Sequence, residues 1–153
     1  PPASAAEARP AGAAYASVVL GKSVGGRPIV AWHLGEERGP TVVLIAGMHG
    51  NEPAPTAILR TLRDGRSVHG IDLWVVPAYN PDGLVRGSRR NGRGVDLNRN
   101  SPYHWAPLGG SYYSGPGPAS EPETRAMMRF LARVRPDYIL SFHQPLNGVD
   151  LAV

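Results

Sequence analysis

Two histidines and one glutamate are spaced so that they could bind a single metal ion. His49 and Glu52 lie three residues apart in the segment His-Gly-Asn-Glu, and His143 follows a separate apolar run near the end of the chain. Two histidines and one carboxylate hold Zn²⁺ with an open position for water, whose pKa the ion lowers towards about 7. We interpret the three residues as a candidate zinc site, although a His-x-x-Glu pair alone is also typical of a loop histidine beside a helix N-terminus. The remaining histidines are interpreted as ordinary core or surface residues: His33, His69 and His104.

A cluster of arginines forms a candidate anion-binding segment. Residues 86–99 contain five arginines and one aspartate, so their net charge of +4 equals that of the whole 153-residue chain. At the end of this segment Arg99 offers a planar guanidinium and Asn98 an amide, which together suit a carboxylate-ended substrate. A basic loop that binds RNA is the alternative. Because the aromatic residues follow the arginines instead of alternating with them, we do not expect a nucleic-acid partner.

The elements that position these residues follow from the apolar pattern. Short β-prone runs at 15–20 and 29–34, separated by a turn-rich stretch, predict a hairpin. The run at 41–46 is continuously apolar and β-branched, and it predicts a strand buried on both faces. Two further runs, at 71–77 and 137–142, are also interpreted as buried strands. Each ends in residues that could do chemistry, and open α/β sheets bind ligands at the carboxyl ends of their strands. A turn is predicted at 79–83, and a long functional loop at 83–119.

Two amphipathic segments predict helices between the strands. Pro53 opens the first, which runs to about residue 63. The second starts at a capping box formed by Ser120 and Glu123 and stops at Pro136. The expected apolar faces are Ala54, Ile58 and Leu62 on the first helix, and Met127, Phe130, Leu131 and Val134 on the second. Alternating strands and helices predict an α/β fold, with a mixed central sheet covered by helices on both faces.

Composition excludes several classes of protein. The chain has no cysteine, which excludes disulfides, thiolate metal sites and a cysteine nucleophile. No apolar run approaches the roughly 18 residues of a membrane-spanning helix, so no membrane span is expected. Residues 1–14 are rich in Pro and Ala and are interpreted as a flexible leader, followed by one folded domain over 15–153.

Four motifs in one order carry a resemblance to a known family. His-Gly-Asn-Glu, Asn-Pro-Asp-Gly, Gly-Val-Asp-Leu-Asn-Arg-Asn and Ser-Phe-His-Gln-Pro follow one another along the chain. The sequence resembles the zinc carboxypeptidases of the carboxypeptidase A type, above all their compact bacterial branch, which includes murein peptide amidases. The resemblance covers about residues 17–150. It implies a zinc-carboxypeptidase-like fold and one zinc ion bound by His49, Glu52 and His143.

The resemblance also implies roles for residues of the basic segment. It implies that Asn98 and Arg99 bind the terminal carboxylate of the substrate. It further implies an upstream arginine that polarises the scissile carbonyl and stabilises the oxyanion. Arg89 is the choice from the Arg-x-Asn-x-x-Gly-Val-Asp spacing, with Arg90 and Arg86 as rivals.

One expected part of such a catalytic domain has no counterpart in the sequence. The resemblance implies a general-base glutamate well after the third zinc ligand, whereas Asp150 is the one acid between His143 and Val153. We therefore expect a domain that is incomplete at its C-terminal side, with the general base beyond Val153. We expect this chain alone to be nearly inactive, since general acid–base help is worth about 10²–10⁴ in rate. The missing C-terminal part of the domain is a possible partner for this chain.

The leading hypothesis for function is a zinc metallopeptidase or amidase. It would hydrolyse an amide bond near a free carboxylate, in a C-terminal residue or a peptidoglycan-type peptide, through a zinc-activated water. Two alternatives stay open: an N-acyl amino acid deacylase on the same scaffold, and a non-catalytic module that binds carboxylates or cell wall. An extracytoplasmic or secreted location fits the expected substrates.

Overall fold

The computed structural model describes residues 16–36 and 38–144, and its core is a five-stranded sheet. The strands are β1 (Ala16–Lys22), β2 (Pro28–Gly35), β3 (Thr41–Ile45), β4 (Asp72–Val76) and β5 (Tyr138–Ser141). The helices are α1 (Pro53–Asp64), α2 (Pro81–Arg86) and α3 (Pro122–Val134). The predicted leader, Asp150 and Val153 lie outside the described residues. None of the described helices is both long and apolar enough to cross a membrane.

The pairing of the strands explains how distant residues meet at one edge. The sheet order is β1-β2-β4-β3-β5. The first two strands form the predicted antiparallel hairpin, and β4 is antiparallel to β2. In contrast, β3 is parallel to both β4 and β5. The carboxyl ends of these three strands therefore lie at the same edge, where the chain continues to His49, Asn80 and His143.

Helices cover both faces of the sheet, as predicted. On one face, Met127 and Phe130 of α3 pack into a core with residues of β2, β3 and β4. On the other face, Leu59 of α1 packs against Leu73 and Val75 of β4. The alternation of side chains along each strand produces these two cores. The mixed α/β architecture is confirmed.

The predicted apolar face of α1 is confirmed at Leu62, which packs partly buried against the core, and is wrong at its other two positions. Ile58 is exposed, as is Ala54, whereas Leu59 is buried together with Pro55 and Thr56. The helix begins directly after Glu52, whose carboxylate points into the candidate metal site. The buried face of α1 is therefore Pro55, Thr56 and Leu59, which lie one turn apart on the helix.

Two local predictions around the other helices are also wrong. The predicted turn at 79–83 is the start of α2, with the Asn80 side chain accepting the Gly83 N–H as an N-cap at 2.9 Å. The predicted capping box does not form, because α3 begins at Pro122 without a side-chain cap. Ser120 donates to Glu121 instead, and the Glu123 carboxylate accepts the distant N–H of Val24 at 3.0 Å. A long-range partner thus replaces the local one for Glu123.

The prediction that the last strand is buried is wrong for the described structure. All four residues of β5 are exposed, including Tyr138, Ile139 and Leu140. The strand lies at the edge of the sheet and pairs with β3 alone. None of the three described helices covers the side chains of β5, so its apolar composition does not lead to burial.

The predicted long loop contains two short 3-10 turns, Leu97–Arg99 and Gly110–Tyr112, between α2 and α3. It is ordered by buried polar groups. Asn100 is fully buried, and its amide donates to the carbonyl oxygen of Ser114 at 2.8 Å and to the hydroxyl of Ser120 at 2.9 Å. The loop is therefore a packed part of the domain and holds its side chains in fixed places.

Gly50 is the point of closest packing between the His49 loop and α2. A Cβ at this position would overlap the carbonyl of Gly83. We therefore expect Gly50→Ala to lower the free energy of unfolding by about 1–3 kcal/mol, the usual cost of overpacking. Gly109→Ala is the matched control, because a Cβ there meets open space. Urea unfolding followed by circular dichroism measures both, and equal stability of the two variants would contradict the prediction.

Candidate metal centre

The loop before His49 is fixed by Asn80. Asn80 is fully buried, and its backbone N–H donates to the carbonyl oxygen of Gly47 at 2.9 Å. Its side-chain amide donates to the carbonyl oxygen of Met48 at 3.2 Å. The asparagine of the Asn-Pro-Asp-Gly motif therefore has two tasks: it caps α2, and it holds the chain that leads to His49.

The three predicted zinc ligands lie together at the sheet edge. The Nδ1 atom of His49 lies 2.8 Å from Glu52 Oε1, and Nδ1 of His143 lies 3.0 Å from Glu52 Oε2. One ligand atom from each residue lies within 4.8 Å of the other two. His49 and Glu52 are buried, while His143 is partly exposed. The arrangement is therefore closed on one side and accessible on the other.

The second nitrogen of each imidazole has a different partner. Nε2 of His49 lies 3.0 Å from Asp96 Oδ1, and Nε2 of His143 lies 3.1 Å from the hydroxyl of Ser141. Metal-ligating histidines commonly use the nitrogen remote from the metal in this way, which fixes the ring orientation and the tautomer. Both Nδ1 atoms are thus directed towards the shared space beside Glu52.

Asp96 connects the metal cluster to the basic segment. Its buried carboxylate contacts His49 through Oδ1 and accepts Nε–H of Arg89 through Oδ2 at 2.9 Å. Burial alone would raise the pKa of the Asp96 carboxyl. The hydrogen bond and charge of His49, together with the Arg89 guanidinium, instead hold that pKa below its ordinary value. Asp96 is therefore a carboxylate anion that links a metal-ligand candidate to a guanidinium.

Among the arginines proposed for carbonyl polarisation, Arg89 reaches the metal cluster through Asp96. The other arginines before Arg99 have different partners: Arg86 donates to the carbonyl of Asp82, Arg90 to the carbonyl of Gly110, and Arg93 contacts the carboxylate of Glu121. The guanidinium of Arg89 also lies over the ring of Tyr112, 5.1 Å from its centroid. Its catalytic role stays a prediction, and the geometry favours it over Arg86 and Arg90.

Asn98 and Arg99 lie on the 3-10 turn that starts directly after Asp96. The backbone N–H of Asn98 donates to Asp96 Oδ1 at 2.9 Å, which ties the turn to the same carboxylate. Arg99 donates to the carbonyl of Asn98 at 2.9 Å and lies over Tyr112, 5.5 Å from the ring centroid. The predicted carboxylate anchor and the predicted metal centre are therefore parts of one connected region.

Sequence reasoning gave no role to Asp96, and it left Tyr112 between two interpretations, a residue that lines the cleft and a lid or packing residue. The sequence did contain a signal for Asp96, because it is the one acid among five arginines in residues 86–99 and is expected to pair with one of them. Tyr112 carried no such signal, since a tyrosine in a glycine-rich loop is equally consistent with packing. Its contact with two guanidiniums depends on the fold, which brings residues 89, 99 and 112 together.

The chemistry of the donor set fits a zinc ion. Two imidazole nitrogens and a carboxylate, each held by other parts of the protein, are a set that zinc accepts in catalytic sites. A buried carboxylate directed at two imidazoles also needs positive charge to offset its desolvation, which a divalent cation supplies. His49, Glu52 and His143 would hold such an ion.

Comparisons with known proteins agree with this geometry. A profile of the zinc carboxypeptidase family matches residues 9–146. Murein peptide amidase A of Escherichia coli K12 is 32% identical over 148 residues, which cover 85% of this chain and 60% of that protein. The crystal structure of murein-tripeptide amidase from Escherichia coli O157 matches with a TM-score of 0.73 at 31% identity, over 88% of this chain and 63% of that one.

A eukaryotic structure has the same fold. Carboxypeptidase A from Helicoverpa armigera superimposes with a TM-score of 0.72 at 25% identity, over 85% of this chain and 41% of that one. The chain thus spans about 60% of the length of the murein peptide amidase that it matches. Because the family profile covers most of the sequence, this chain belongs to the zinc carboxypeptidase family, whose metal is zinc.

Proposed function

We propose that this chain provides the metal site and the carboxylate anchor of a zinc-dependent peptidase or amidase. Its reaction is hydrolysis of an amide bond near a free carboxylate, in a C-terminal residue or a peptidoglycan-derived peptide. The observation that carries the proposal is the chain of contacts from His143 and Glu52 through His49 and Asp96 to Arg89. The metal ligands and the arginines must lie close together to act on one peptide, because its reacting carbonyl and its carboxylate are a few bonds apart.

The proposed role of each residue follows from its charge. His49, Glu52 and His143 would hold a zinc ion, which when bound would supply a Lewis acid and a water of lowered pKa. In this proposal Arg99, with Asn98 beside it, binds the substrate carboxylate by paired hydrogen bonds. Arg89 donates to the carbonyl oxygen as negative charge develops there, an interaction that usually contributes strongly to acyl transfer.

Similarity to the murein peptide amidases supports a peptidoglycan-type peptide as substrate. An extracytoplasmic or secreted location remains part of the proposal. Carboxypeptidase activity on C-terminal residues is the second form of the same chemistry, and the anchor formed by Asn98 and Arg99 suits both.

A substrate panel tests the proposal. The probes are a γ-D-Glu–diaminopimelate peptide, a peptide with a free C-terminus, its C-terminal amide, and an N-acetyl amino acid. We expect zinc-dependent release of diaminopimelate, or of a C-terminal residue, by the longest gene product that contains this sequence. We expect little release by the 153-residue chain itself. Masking the carboxylate as the amide should slow hydrolysis at least about tenfold, the value of one good charge-assisted contact.

Each other outcome points to a different function. Release confined to the N-acetyl group would identify a deacylase. Binding of carboxylates without any turnover by the longest product would identify a non-catalytic module. Equal hydrolysis of the free and amidated peptides would contradict the anchor role of Arg99.

A further inference from the structure

Tyr112 lies where the two functional arginines meet. It ends the 3-10 turn Gly110–Tyr112, and 52% of its surface is exposed. The guanidinium carbon of Arg89 lies 5.1 Å from the ring centroid, and that of Arg99 lies 5.5 Å from it. Both distances are within the roughly 6 Å range of a cation–π contact. The ring of Tyr112 therefore contacts the guanidiniums of both arginines.

The two cations differ in their other partners. Arg89 is paired with the buried carboxylate of Asp96. Within residues 16–36 and 38–144, Arg99 has no carboxylate partner, and its guanidinium donates to the carbonyl oxygen of its neighbour Asn98. The face of an aromatic ring carries partial negative charge, which offsets part of the repulsion between neighbouring guanidiniums. The ring holds Arg99 in place and leaves most of its N–H donors available to an external anion.

The backbone around Tyr112 is tied to the metal region. The carbonyl of Tyr113 accepts the N–H of Asp96 at 2.8 Å, and the carbonyl of Gly110 accepts a guanidinium N–H of Arg90 at 3.2 Å. Contacts on both sides thus fix the position of the ring relative to Asp96, and through Asp96 relative to His49. The place of the Arg99 guanidinium beside the metal region is therefore set by this ring.

We propose that Tyr112 is a positioning residue, whose ring face holds the guanidinium of Arg99 beside Arg89 so that it can receive a substrate carboxylate. The inference rests on the proposed function, because it takes Arg99 as the carboxylate anchor. The ring face, and not the phenolic hydroxyl, carries the effect. Phenylalanine at position 112 should therefore preserve carboxylate binding by Arg99, whereas leucine should weaken it.

Titration of the Arg99 side chain by NMR tests the proposal directly. The probe is N-acetylglycine, a minimal amide with a free carboxylate, added to the zinc-loaded chain, with N-acetylglycinamide as the uncharged control. The Nε–Hε signal of Arg99 reports the dissociation constant. We expect Tyr112→Leu to raise that constant about two- to fivefold, the effect of losing an exposed cation–π contact, and Tyr112→Phe to leave it within twofold. Tyr113→Leu is the matched control, because no guanidinium lies over the Tyr113 ring in the described part of the chain.

The outcomes separate this proposal from the proposed function. If the Arg99 signal of the unaltered chain does not respond to N-acetylglycine, the anchor role of Arg99 is wrong and the role of Tyr112 falls with it. If that signal responds and Tyr112→Leu binds equally well, the positioning role alone is overturned. Equal weakening by the phenylalanine and leucine variants would show that the hydroxyl acts, which contradicts the ring-face argument.

Discussion

The double variant His49→Ala/His143→Ala is expected to lose stoichiometric zinc binding. Both imidazoles direct Nδ1 at the shared carboxylate of Glu52, so their removal leaves a single protein ligand. One carboxylate does not hold zinc in a four-coordinate site. Zinc affinity should fall by more than about 100-fold, the upper end of the cost of losing a residue that merely supports a ligand. The metal-to-protein ratio after dialysis, and competition with a chromogenic chelator, measure the change.

The design of this test must separate loss of metal from loss of fold. His49 is buried between Glu52 and Asp96, and its removal leaves two buried carboxylates without their partner. The single variant His143→Ala avoids this problem, because His143 is partly exposed. His69→Ala/His104→Ala is the matched control, since both of these histidines are exposed and lie outside the cluster. Retention of zinc by the folded double variant would refute the assignment of the site.

The strands and the ligand positions could be predicted from the sequence because the pattern is local. Each of the runs at 41–46 and 71–77 is apolar over a strand length and ends in glycine, proline or polar residues. The carboxyl ends of parallel strands meet at one edge, so residues just after different strands become neighbours even when they are 94 positions apart, as His49 and His143 are. For the zinc ligands, local pattern plus this topological rule was sufficient.

The features that were not predicted depend on contacts between distant segments. The rotation of α1 buries Leu59 against β4 and leaves Ile58 exposed. The Glu123 carboxylate serves the β1–β2 turn instead of capping its own helix. A buried carboxylate must be compensated for the water it loses, so it accepts hydrogen bonds from the best available donors. These donors are often distant in sequence, and a local pattern does not reveal them.

The choice among the arginines shows the same limit. Spacing selects Arg89 but leaves Arg86 and Arg90 as rivals, because it does not show which way each side chain points. Asp96 distinguishes them in the structure by accepting a hydrogen bond from Arg89. The functional assignment of a cation on a loop therefore depends on locating its counter-charge.

Asp96→Asn is expected to weaken zinc binding about 10- to 100-fold, the usual cost of losing a carboxylate that orients a ligating histidine. A His49 that binds metal through Nδ1 carries its proton on Nε2, and that proton needs an acceptor. Asp96 accepts from His49, from Arg89 and from the N–H of Asn98 at the same time. An asparagine has one acceptor oxygen and two donor hydrogens, so it cannot satisfy all three.

The same variant is expected to be less stable than the unaltered chain. Arg89 is partly exposed, so the loss should be below the roughly 3–5 kcal/mol measured when a fully buried pair is broken. Because the pKa of the Asp96 carboxyl lies below its ordinary value of 3.8, its contribution to stability is present above about pH 4 and is lost as the pH falls through the lower, folded-state pKa. The difference in unfolding free energy between the two chains should therefore shrink below pH 4.

Asp82→Asn is the control that isolates the effect on the metal site. Asp82 is also buried, also pairs with a guanidinium, that of Arg27 at 2.6 Å, and also accepts a backbone N–H, that of Gly25 at 2.7 Å. Burial would raise the pKa of its carboxyl, but these hydrogen bonds lower it, so acid should remove its contribution to stability in the same pH range. Among the hydrogen bonds and ion pairs of the described residues, none joins Asp82 to His49. Both variants should therefore lose stability, while zinc affinity should fall for Asp96→Asn alone. A parallel fall of zinc affinity in Asp82→Asn would mean that the metal site responds to loss of stability in general, and Asp96 would have no specific role in orienting His49.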